Sequence, residues 1–291
     1  ALEAGRHVIV EKPMAPTAVI SVPAKLEELP WNGCPKRKNN MQKIGEIKAE
    51  LQVLQPEEYD AFFEKYKDDT RNGVRKLLEQ LHKKEAAYQK ELARTEAMKV
   101  YEHKYEDLGY ICGIDEVGRG PLAGPVVAGA VILPKDCKIL YLNDSKQLSA
   151  KKREELYDVI MENAVAVGIG MASSQRIDEI NILQATYEAM REAISKLDPV
   201  PQILLNDAVT IPQVTIPQVP IIKGDAKSVS IAAASIVAKV TRDRMMVEYD
   251  KTMPEYGFAS NKGYGAAAHI EALKKYGPSP IHRATFIKNF V

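Results

Sequence analysis

Three apolar stripes at helical spacing lie in the region of residues 41–107. They fall at residues 44–54, 59–66 and 74–81, and in each stripe the apolar side chains recur every three or four positions. This spacing places apolar side chains on one face of an α-helix. We therefore predict three amphipathic helices that pack as a small helical bundle.

From Tyr110 onward the pattern changes to short apolar, β-leaning runs that alternate with longer helical stretches. The helical stretches fall at residues 149–164, 181–197 and 228–251. Alternation of this kind is typical of an α/β domain whose largely buried sheet is flanked by helices. Residues 211–220 (IPQVTIPQVP) hold too much proline for a central strand, so we predict an exposed loop or an edge hairpin there.

Residues 1–40 follow neither pattern and contain the breaker-rich stretch PWNGCPKRKNN. The string AGRHVIVEKPMA resembles a short segment of the Gfo/Idh/MocA family of nicotinamide-dependent oxidoreductases, with Lys12 and Pro13 at the dipeptide near the cofactor. No GxGxxG follows a strand, so an oxidoreductase would lack its dinucleotide loop. We predict that residues 1–40 are an unassigned, poorly ordered extension.

The composition is that of an ordinary globular protein. Hydrophobic residues make up 45% and charged residues 27% of the chain, which excludes wholesale disorder. Three cysteines without a CxxC pair argue against a disulfide framework or a thiolate zinc site. No apolar run is long enough for a membrane span, and no secretory signal is evident. We expect a cytoplasmic monomer without a membrane partner.

Carboxylates stand at the ends of three apolar runs. Asp115 and Glu116 follow YICGI, Asp207 follows ILLN, and Asp225 follows PIIKG. One such aspartate is usually a cap or a turn residue, but sites in open α/β sheets assemble at the carboxyl ends of strands. Converging oxygen ligands without His or Cys select Mg²⁺ or Mn²⁺. Acidic clusters of this kind suit phosphoryl transfer.

A glycine-flanked arginine, Gly118-Arg119-Gly120, comes directly after this acidic pair. Glycines let backbone N–H groups approach a ligand closely, and arginine offers bidentate phosphate contacts. The alternative is a plain tight turn with an exposed arginine. The neighbouring carboxylates favour a phosphate-binding loop.

Several sequence blocks in one order resemble a known family. GIDEVGRGPLAGPVVAGAV at residues 113–131 is similar to the signature segment of ribonuclease HII, the bacterial type 2 ribonuclease H. DSKQL, ILLNDAV, KGDAKSVSIAAASIVAKVTRDRMM, NKGYG and HRATF follow in the family's order. The resemblance covers residues 110–291. Residues 41–107 resemble the extra N-terminal segment of some Gram-positive members.

The resemblance implies a ribonuclease H-like fold with a central mixed sheet of five strands flanked by helices. It predicts a helical N-terminal domain at residues 41–107 and a catalytic domain at residues 108–291. It also implies an endonuclease that cleaves the RNA strand of RNA–DNA hybrids and incises 5′ to single ribonucleotides embedded in duplex DNA. The implied chemistry is two-metal-ion hydrolysis with Mn²⁺ or Mg²⁺, which leaves 3′-hydroxyl and 5′-phosphate ends.

The acidic positions of the family fall on Asp115, Glu116, Asp207 and Asp225, as catalytic residues and metal ligands. Asp115 is the best candidate for bridging both ions.

The substrate-binding positions fall on five further residues. The loop that contacts the 2′-hydroxyl and the adjacent phosphate corresponds to Gly118, Arg119 and Gly120, and the tyrosine that stacks on the sugar at the junction corresponds to Tyr264. Lys146 corresponds to a lysine near the scissile region. A flat aromatic ring packs on deoxyribose but collides with an added hydroxyl, which would select the junction by exclusion.

Alternatives remain for the activity and for the helical region. The same carboxylates would serve a structure-selective DNA nuclease, and loss of a carboxylate would leave a hybrid-binding protein. The charges of residues 41–107 indicate either a solvated face or a nucleic-acid-binding appendage that uses Lys83, Lys84, Lys90 and Arg94.

Three other polar residues of the catalytic region are expected to be structural. His269 and His282 are treated as isolated histidines, packed or exposed. Asp243 is a candidate for a carboxylate just outside the metal ligands, but it is expected instead to pair with Arg242 or Arg244 on a helix surface.

Overall fold

In the computed structural model, which describes residues 42–291, five strands form one mixed sheet in the order β3-β2-β1-β4-β5. Strand β1 pairs antiparallel with β2 and parallel with β4, and the outer pairs are antiparallel β2–β3 and parallel β4–β5. The predicted ribonuclease H-like arrangement is therefore confirmed. The strands are β1 Ile111–Val117, β2 Val126–Ile132, β3 Ala166–Ala172, β4 Ile203–Asp207 and β5 Gln218–Ile221.

Helices cover both faces of the sheet, which explains the continuous apolar run of β2. Every residue of Val126–Ile132 is buried, as expected of a strand covered on both faces. The 24-residue helix α8 (Val229–Thr252) packs on one face, and helix α7 (Ile182–Ser195) packs on the other. Gly113 lets α8 approach β1 closely, because a Cβ there would lie 2.0 Å from the carbonyl carbon of Ser230.

The predicted helical stretches of this region are α5, α7 and α8, and shorter helices complete the C-terminal part. Helix α5 begins after Ser149, whose hydroxyl accepts a hydrogen bond from the Lys152 N–H. Their bounds are α5 Ala150–Asn163, α6 Ser174–Ile180, α7 Ile182–Ser195, α8 Val229–Thr252, α9 Phe258–Asn261, α10 Ala267–Tyr276 and α11 Ala284–Ile287.

The proline-rich segment 211–220 does not form a hairpin. Its last residues enter strand β5, which pairs in parallel with β4 at the sheet edge, where Pro220 is tolerated. The preceding residues form the predicted loop, in which four residues are exposed: Pro212, Gln213, Thr215 and Pro217. The start of this loop is fixed because the Gln218 side chain both donates to the Ile211 carbonyl and accepts from the Ile211 N–H. Ile211 is therefore buried.

The predicted helical region before the sheet is present as α1 Ile44–Val53, α2 Tyr59–Tyr66, α3 Asn72–Ala97 and α4 Val100–Tyr105. The apolar stripes of the first three helices form a separate cluster. Helix α3 continues well beyond its stripe, and Met98 at its end joins the main core. The predicted extension at residues 1–40 lies outside the described residues. Within residues 42–291 we find no helix with the length and apolar character that crossing a bilayer requires.

Candidate active site

The topology brings the predicted carboxylates together at the carboxyl ends of three neighbouring strands. Asp115 and Glu116 lie near the end of β1, and Asp207 is the last residue of its parallel neighbour β4. Asp225 lies in a short 3₁₀ turn, Gly224–Ala226, just after β5. These are the carboxyl ends of the three parallel strands, where sites of α/β sheets assemble.

The side chains are close enough to perturb one another. Burial raises the pKa of Asp115 well above its ordinary value, and the charges of Glu116 and Asp207 raise it further. Burial also raises the pKa of Glu116, against the opposing effect of Arg119. Such crowding of partly desolvated carboxylates favours bound protons or bound cations.

Asp225 belongs to the same electrostatic group. Burial raises its pKa first, followed by the charges of Asp144 and Asp207, whereas Lys146 lowers it. Lys146 is exposed and lies in the 3₁₀ turn Ser145–Gln147. The predicted lysine and the predicted fourth carboxylate are thus brought together.

The oxygen atoms of the group fit hard divalent cations. Glu116 Oε2 is buried and has no hydrogen-bond partner among the described residues, so it has an unused lone-pair site for a cation. In the part of the chain that the structure describes, no three His, Cys, Asp or Glu side chains are arranged to hold one ion by themselves. Mg²⁺ typically binds through one or two carboxylates together with water and substrate phosphates. A pair of carboxylates from this group, completed by water and substrate phosphate, would therefore be enough to bind Mg²⁺.

The glycine–arginine loop has a backbone that requires glycine at its start. Gly118 has φ +91°, and a Cβ there would lie 2.3 Å from Arg242 Nε. Arg119 is exposed, and its Nη1 lies 3.2 Å from Glu116 Oε1. Gly120 is exposed with open space around it. The loop thus presents the Arg119 cation and the exposed main chain of Gly120 beside the carboxylates.

Two fully buried arginines, Arg242 and Arg283, hold the main chain at residues 118–125, which includes this loop. Neither takes part in an ion pair among the described residues, and their guanidinium groups donate only to main-chain carbonyls. Burial and the charge of Arg242 lower the pKa of Arg283 to about 9. The accepting carbonyls are those of Ala123, Pro125 and Lys262 for Arg242, and those of Gly118, Arg119 and Gly124 for Arg283.

This arrangement differs from the ion pairs expected for Asp243. Asp243 binds Lys239 Nζ at 2.7 Å and lies near Arg153, not Arg242 or Arg244. The expectation failed because Arg242 points into the core, where carbonyls satisfy it. Sequence reasoning missed this role, although Arg242 and Arg283 lie in the TRDR and HRATF blocks.

Tyr264 lies on a turn that is joined to the glycine–arginine loop. The carbonyl of Gly263 accepts from the N–H groups of Leu122 and Ala123, and the Tyr264 ring lies 5.9 Å from the Arg242 guanidinium carbon. The ring is 43% exposed, so it is open to a ligand. The structure therefore brings the predicted junction tyrosine beside the predicted phosphate-binding loop.

His269 and His282 are buried and bonded to each other beneath this turn. Their Nε2 atoms are 2.9 Å apart, His269 Nδ1 lies 2.8 Å from the Tyr264 carbonyl, and the Ser279 N–H donates to His282 Nδ1. A carbonyl can only accept, so His269 Nδ1 carries the proton and its Nε2 accepts from His282. The pair is a neutral, directional chain that ends at the Tyr264 carbonyl.

Comparison with known proteins shows a consistent similarity. The sequence profile of the family described as Ribonuclease HII matches residues 112–289, and that of the Ribonuclease HII N-terminal domain matches residues 43–106. Ribonuclease HII of Lachnoclostridium phytofermentans is 68% identical over 247 residues, covering 85% of this chain and 97% of that protein. Ribonuclease HII of Clostridioides difficile is 52% identical over 250 residues, covering 85% and 98%.

A solved structure shows the same fold. The ribonuclease H2 of Pyrococcus horikoshii superposes with a TM-score of 0.52 at 30% identity, covering 60% of this chain and 93% of that one.

Proposed function

The chain belongs to the ribonuclease HII family, and on that premise we propose that Asp115, Glu116, Asp207 and Asp225 hold the divalent ions of its catalytic centre. Its activity is that of the family, which is endoribonuclease activity. Members cleave the RNA strand of RNA–DNA hybrids, and they also cleave duplex DNA at single embedded ribonucleotides. The observation that carries the residue assignment is the meeting of four partly buried carboxylates at one sheet edge, beside a cationic glycine loop.

Members of the family depend on divalent metal, and we propose Mn²⁺ or Mg²⁺ because every candidate ligand is a carboxylate oxygen. When bound, such ions activate a water and neutralise charge on the phosphodiester. Asp115 is buried, and Glu116 Oε2 has no hydrogen-bond partner in the described part of the chain; both observations support their assignment as ligands. Asp115, on which the charges of both Glu116 and Asp207 act, would be the central ligand of this set.

The glycine–arginine loop would recognise the ribonucleotide. The 2′-hydroxyl is the group that distinguishes RNA from DNA at a given nucleotide, and its recognition needs rigid donors and acceptors nearby. Gly120 exposes main chain, and the buried Gly118 fixes the shape of the loop. Arg283 donates to the Gly118 carbonyl and thereby holds the loop from its buried side. Arg119 would contact the adjacent phosphate. Tyr264, on the joined turn, would pack on the neighbouring deoxyribose, and Lys146 would approach the scissile region.

A labelled DNA duplex with one ribonucleotide tests these assignments against the matched all-DNA duplex, with Mn²⁺ or Mg²⁺ present. We expect one cut, 5′ to the ribonucleotide, which leaves a 3′-hydroxyl and a 5′-phosphate. Asp115→Asn should abolish it, whereas Asp136→Asn, which alters an exposed aspartate outside the acidic group, should not. Equal cutting of both duplexes would refute the role of the loop and support a DNA nuclease.

The extent of the two predicted domains, the monomeric state and a cytoplasmic location stay predictions from the sequence. The binding partners that we propose are RNA–DNA hybrids and ribonucleotide-containing duplex DNA, which follow from the activity of the family.

A further inference from the structure

The end of the N-terminal helical region is bonded to a loop of the acidic site. Glu91 Oε1 accepts from the Tyr141 N–H at 2.7 Å, and Arg94 Nη2 donates to the Leu142 carbonyl at 2.7 Å. The two side chains also pair with each other at 2.6 Å. They therefore hold the start of the loop at residues 141–147, which carries Lys146.

A second contact from the same region reaches the start of helix α8. Glu102 Oε1 accepts from the Ser228 hydroxyl at 2.6 Å and from the Ser230 N–H at 3.0 Å. Ser228 is fully buried and caps α8, since its Oγ accepts from the Ile231 N–H at 3.2 Å. The N-cap residue of α8, the longest helix of the catalytic region, is thus oriented by a carboxylate of the N-terminal region.

From Ser228 a short path leads to the proposed metal ligands. The Ser228 N–H donates to the Gly224 carbonyl at 2.9 Å, and the Gly224 N–H donates to Asp207 Oδ1 at 2.7 Å. Asp225 lies inside this same turn. Movement of Ser228 would therefore move both carboxylates.

Apolar packing supports the contact from below. Tyr101 and Tyr105 of α4 pack on a buried cluster formed by Leu205, Ile221 and Ile231. Leu205 lies in β4 two residues before Asp207, and Ile221 ends β5. Helix α4 therefore rests on the two strands that lead into the acidic turn.

We propose that Glu102 is a positioning residue for the metal site. Through Glu102, the N-terminal region keeps the metal-binding carboxylates in position. Glu102 fixes the turn at residues 224–228 and with it the spacing of Asp207 and Asp225. The proposal rests on the function proposed for those two carboxylates. The alternative of a nucleic-acid-binding appendage is weakened because Arg94, one of its four basic residues, is already paired with Glu91 and bonded to the Leu142 carbonyl.

The test measures Mn²⁺ binding to the full chain without substrate, by electron paramagnetic resonance of the free ion. Substitution of residues that orient metal ligands typically costs about 10–100-fold in affinity, so we expect Glu102→Ala to raise the Mn²⁺ Kd about tenfold. Glu102→Gln keeps an oxygen that accepts from Ser228 and Ser230, and it should restore most of the affinity. Glu96→Ala removes an exposed carboxylate whose partners within residues 42–291 are Lys99 and His103 of its own region, and it should leave the Mn²⁺ Kd unchanged.

Steady-state kinetics give a second readout. At saturating Mn²⁺ the Glu102→Ala protein should regain most of its kcat, and its KM for a hybrid should equal that of the wild type. A raised KM with an unchanged Mn²⁺ Kd would overturn the proposal in favour of the appendage. If Glu102→Ala fails to fold, as judged by circular dichroism, Glu102→Asp shortens the reach of the same carboxylate and carries the same test.

Two reference variants separate this proposal from the function on which it rests. If Asp225→Asn weakens Mn²⁺ binding and Glu102→Ala does not, the positioning role of Glu102 is wrong and the metal-ligand assignment is supported. If Asp207→Asn and Asp225→Asn both leave Mn²⁺ binding unchanged, the metal-site assignment itself is wrong.

Discussion

Asp115 lies in an environment that disfavours its charged form. The side chain is 7% exposed, and burial together with the neighbouring carboxylates raises its pKa. An ionised Asp115 therefore lowers the stability of the metal-free fold, and its raised pKa is typical of a functional group. The Ser235 hydroxyl and the Glu116 N–H offset only part of this cost.

Asp115→Asn should raise the melting temperature of the metal-free protein and abolish catalysis. Each kcal/mol gained corresponds to about 2–4 °C for a domain of this size. Scanning calorimetry with and without Mn²⁺ measures both effects: Mn²⁺ should raise the melting temperature of the wild type and leave the variant nearly unchanged. A lower melting temperature for the metal-free variant would show that the carboxylate stabilises the fold.

His282 makes stability depend on pH through its bond to His269. Burial, with a further contribution from His269, lowers the pKa of His282 to about 4 from 6.5. The unfolded chain binds the proton more readily, so the contribution of the neutral pair is full above pH 6.5 and is lost as the pH falls toward 4. At about 1.4 kcal/mol per pKa unit the loss is about 3 kcal/mol.

Urea unfolding of the wild type and His282→Asn across this pH range should reveal that loss as a difference between the two curves. The variant lacks the titrating group, so its stability should fall less steeply as the pH falls from 6.5 to 4. His82→Asn alters an exposed histidine and should follow the wild type. Parallel curves for the wild type and His282→Asn would contradict the pH role.

The two glycines of the glycine–arginine loop have different roles. Gly118 sets the backbone conformation of the loop, and Gly120 leaves its main chain exposed to a ligand. Gly118 has φ +91° and no room for a Cβ, whereas Gly120 has no atom within 4 Å of an added Cβ. The two glycines form a matched pair for separating loop geometry from substrate contact.

Gly118→Ala should lower the free energy of unfolding and the activity together. A side chain in this backbone region costs about 1–3 kcal/mol, and the contact with Arg242 adds to it. Gly120→Ala should stay within about 0.5 kcal/mol of the wild type, and any loss of its activity on a single ribonucleotide then reports contact with substrate. Thermal melting and the cleavage assay measure both. Equal destabilisation by the two substitutions would refute the loop geometry.

At the scale of the described molecule, the buried apolar cluster of the N-terminal helices is separate from the clusters of the catalytic region, and the boundary lies inside helix α3. The cluster of the first three helices ends at Leu81, and Met98 belongs to the core of the catalytic region. Most side chains between residues 82 and 90 are exposed. A segment with few buried apolar contacts transmits little cooperativity.

Native-state hydrogen exchange should therefore resolve two units. Amides of residues 44–81 should exchange at a lower opening free energy than those of β1, β2 and α8. Amides at residues 91–105 should follow the catalytic region because Glu91, Arg94 and Glu102 bind to it. Mass spectrometry of peptic fragments measures this, and a single opening free energy throughout residues 42–291 would contradict the division.

Local patterns in the sequence predicted most of the architecture and the chemistry. Helical spacing and apolar runs predicted the N-terminal helices, the flanked sheet and the helices at residues 149–164, 181–197 and 228–251. Carboxylates at strand ends, in the order of the ribonuclease HII blocks, predicted which residues the sheet would bring together. These inferences succeed because strand ends and amphipathic faces leave signals in residue type and spacing.

Only the tertiary structure showed which residues position the loops and turns of the site. Arg283 donates to the Gly118 carbonyl 165 positions away, and Glu102 binds Ser228 126 positions away. His269 and His282, expected to be isolated, form one chain. These partners are main-chain carbonyls, a serine cap and a second neutral histidine, and none of them requires a residue type that sequence spacing would reveal. Their roles exist only after the chain folds and brings distant donors and acceptors within hydrogen-bond distance.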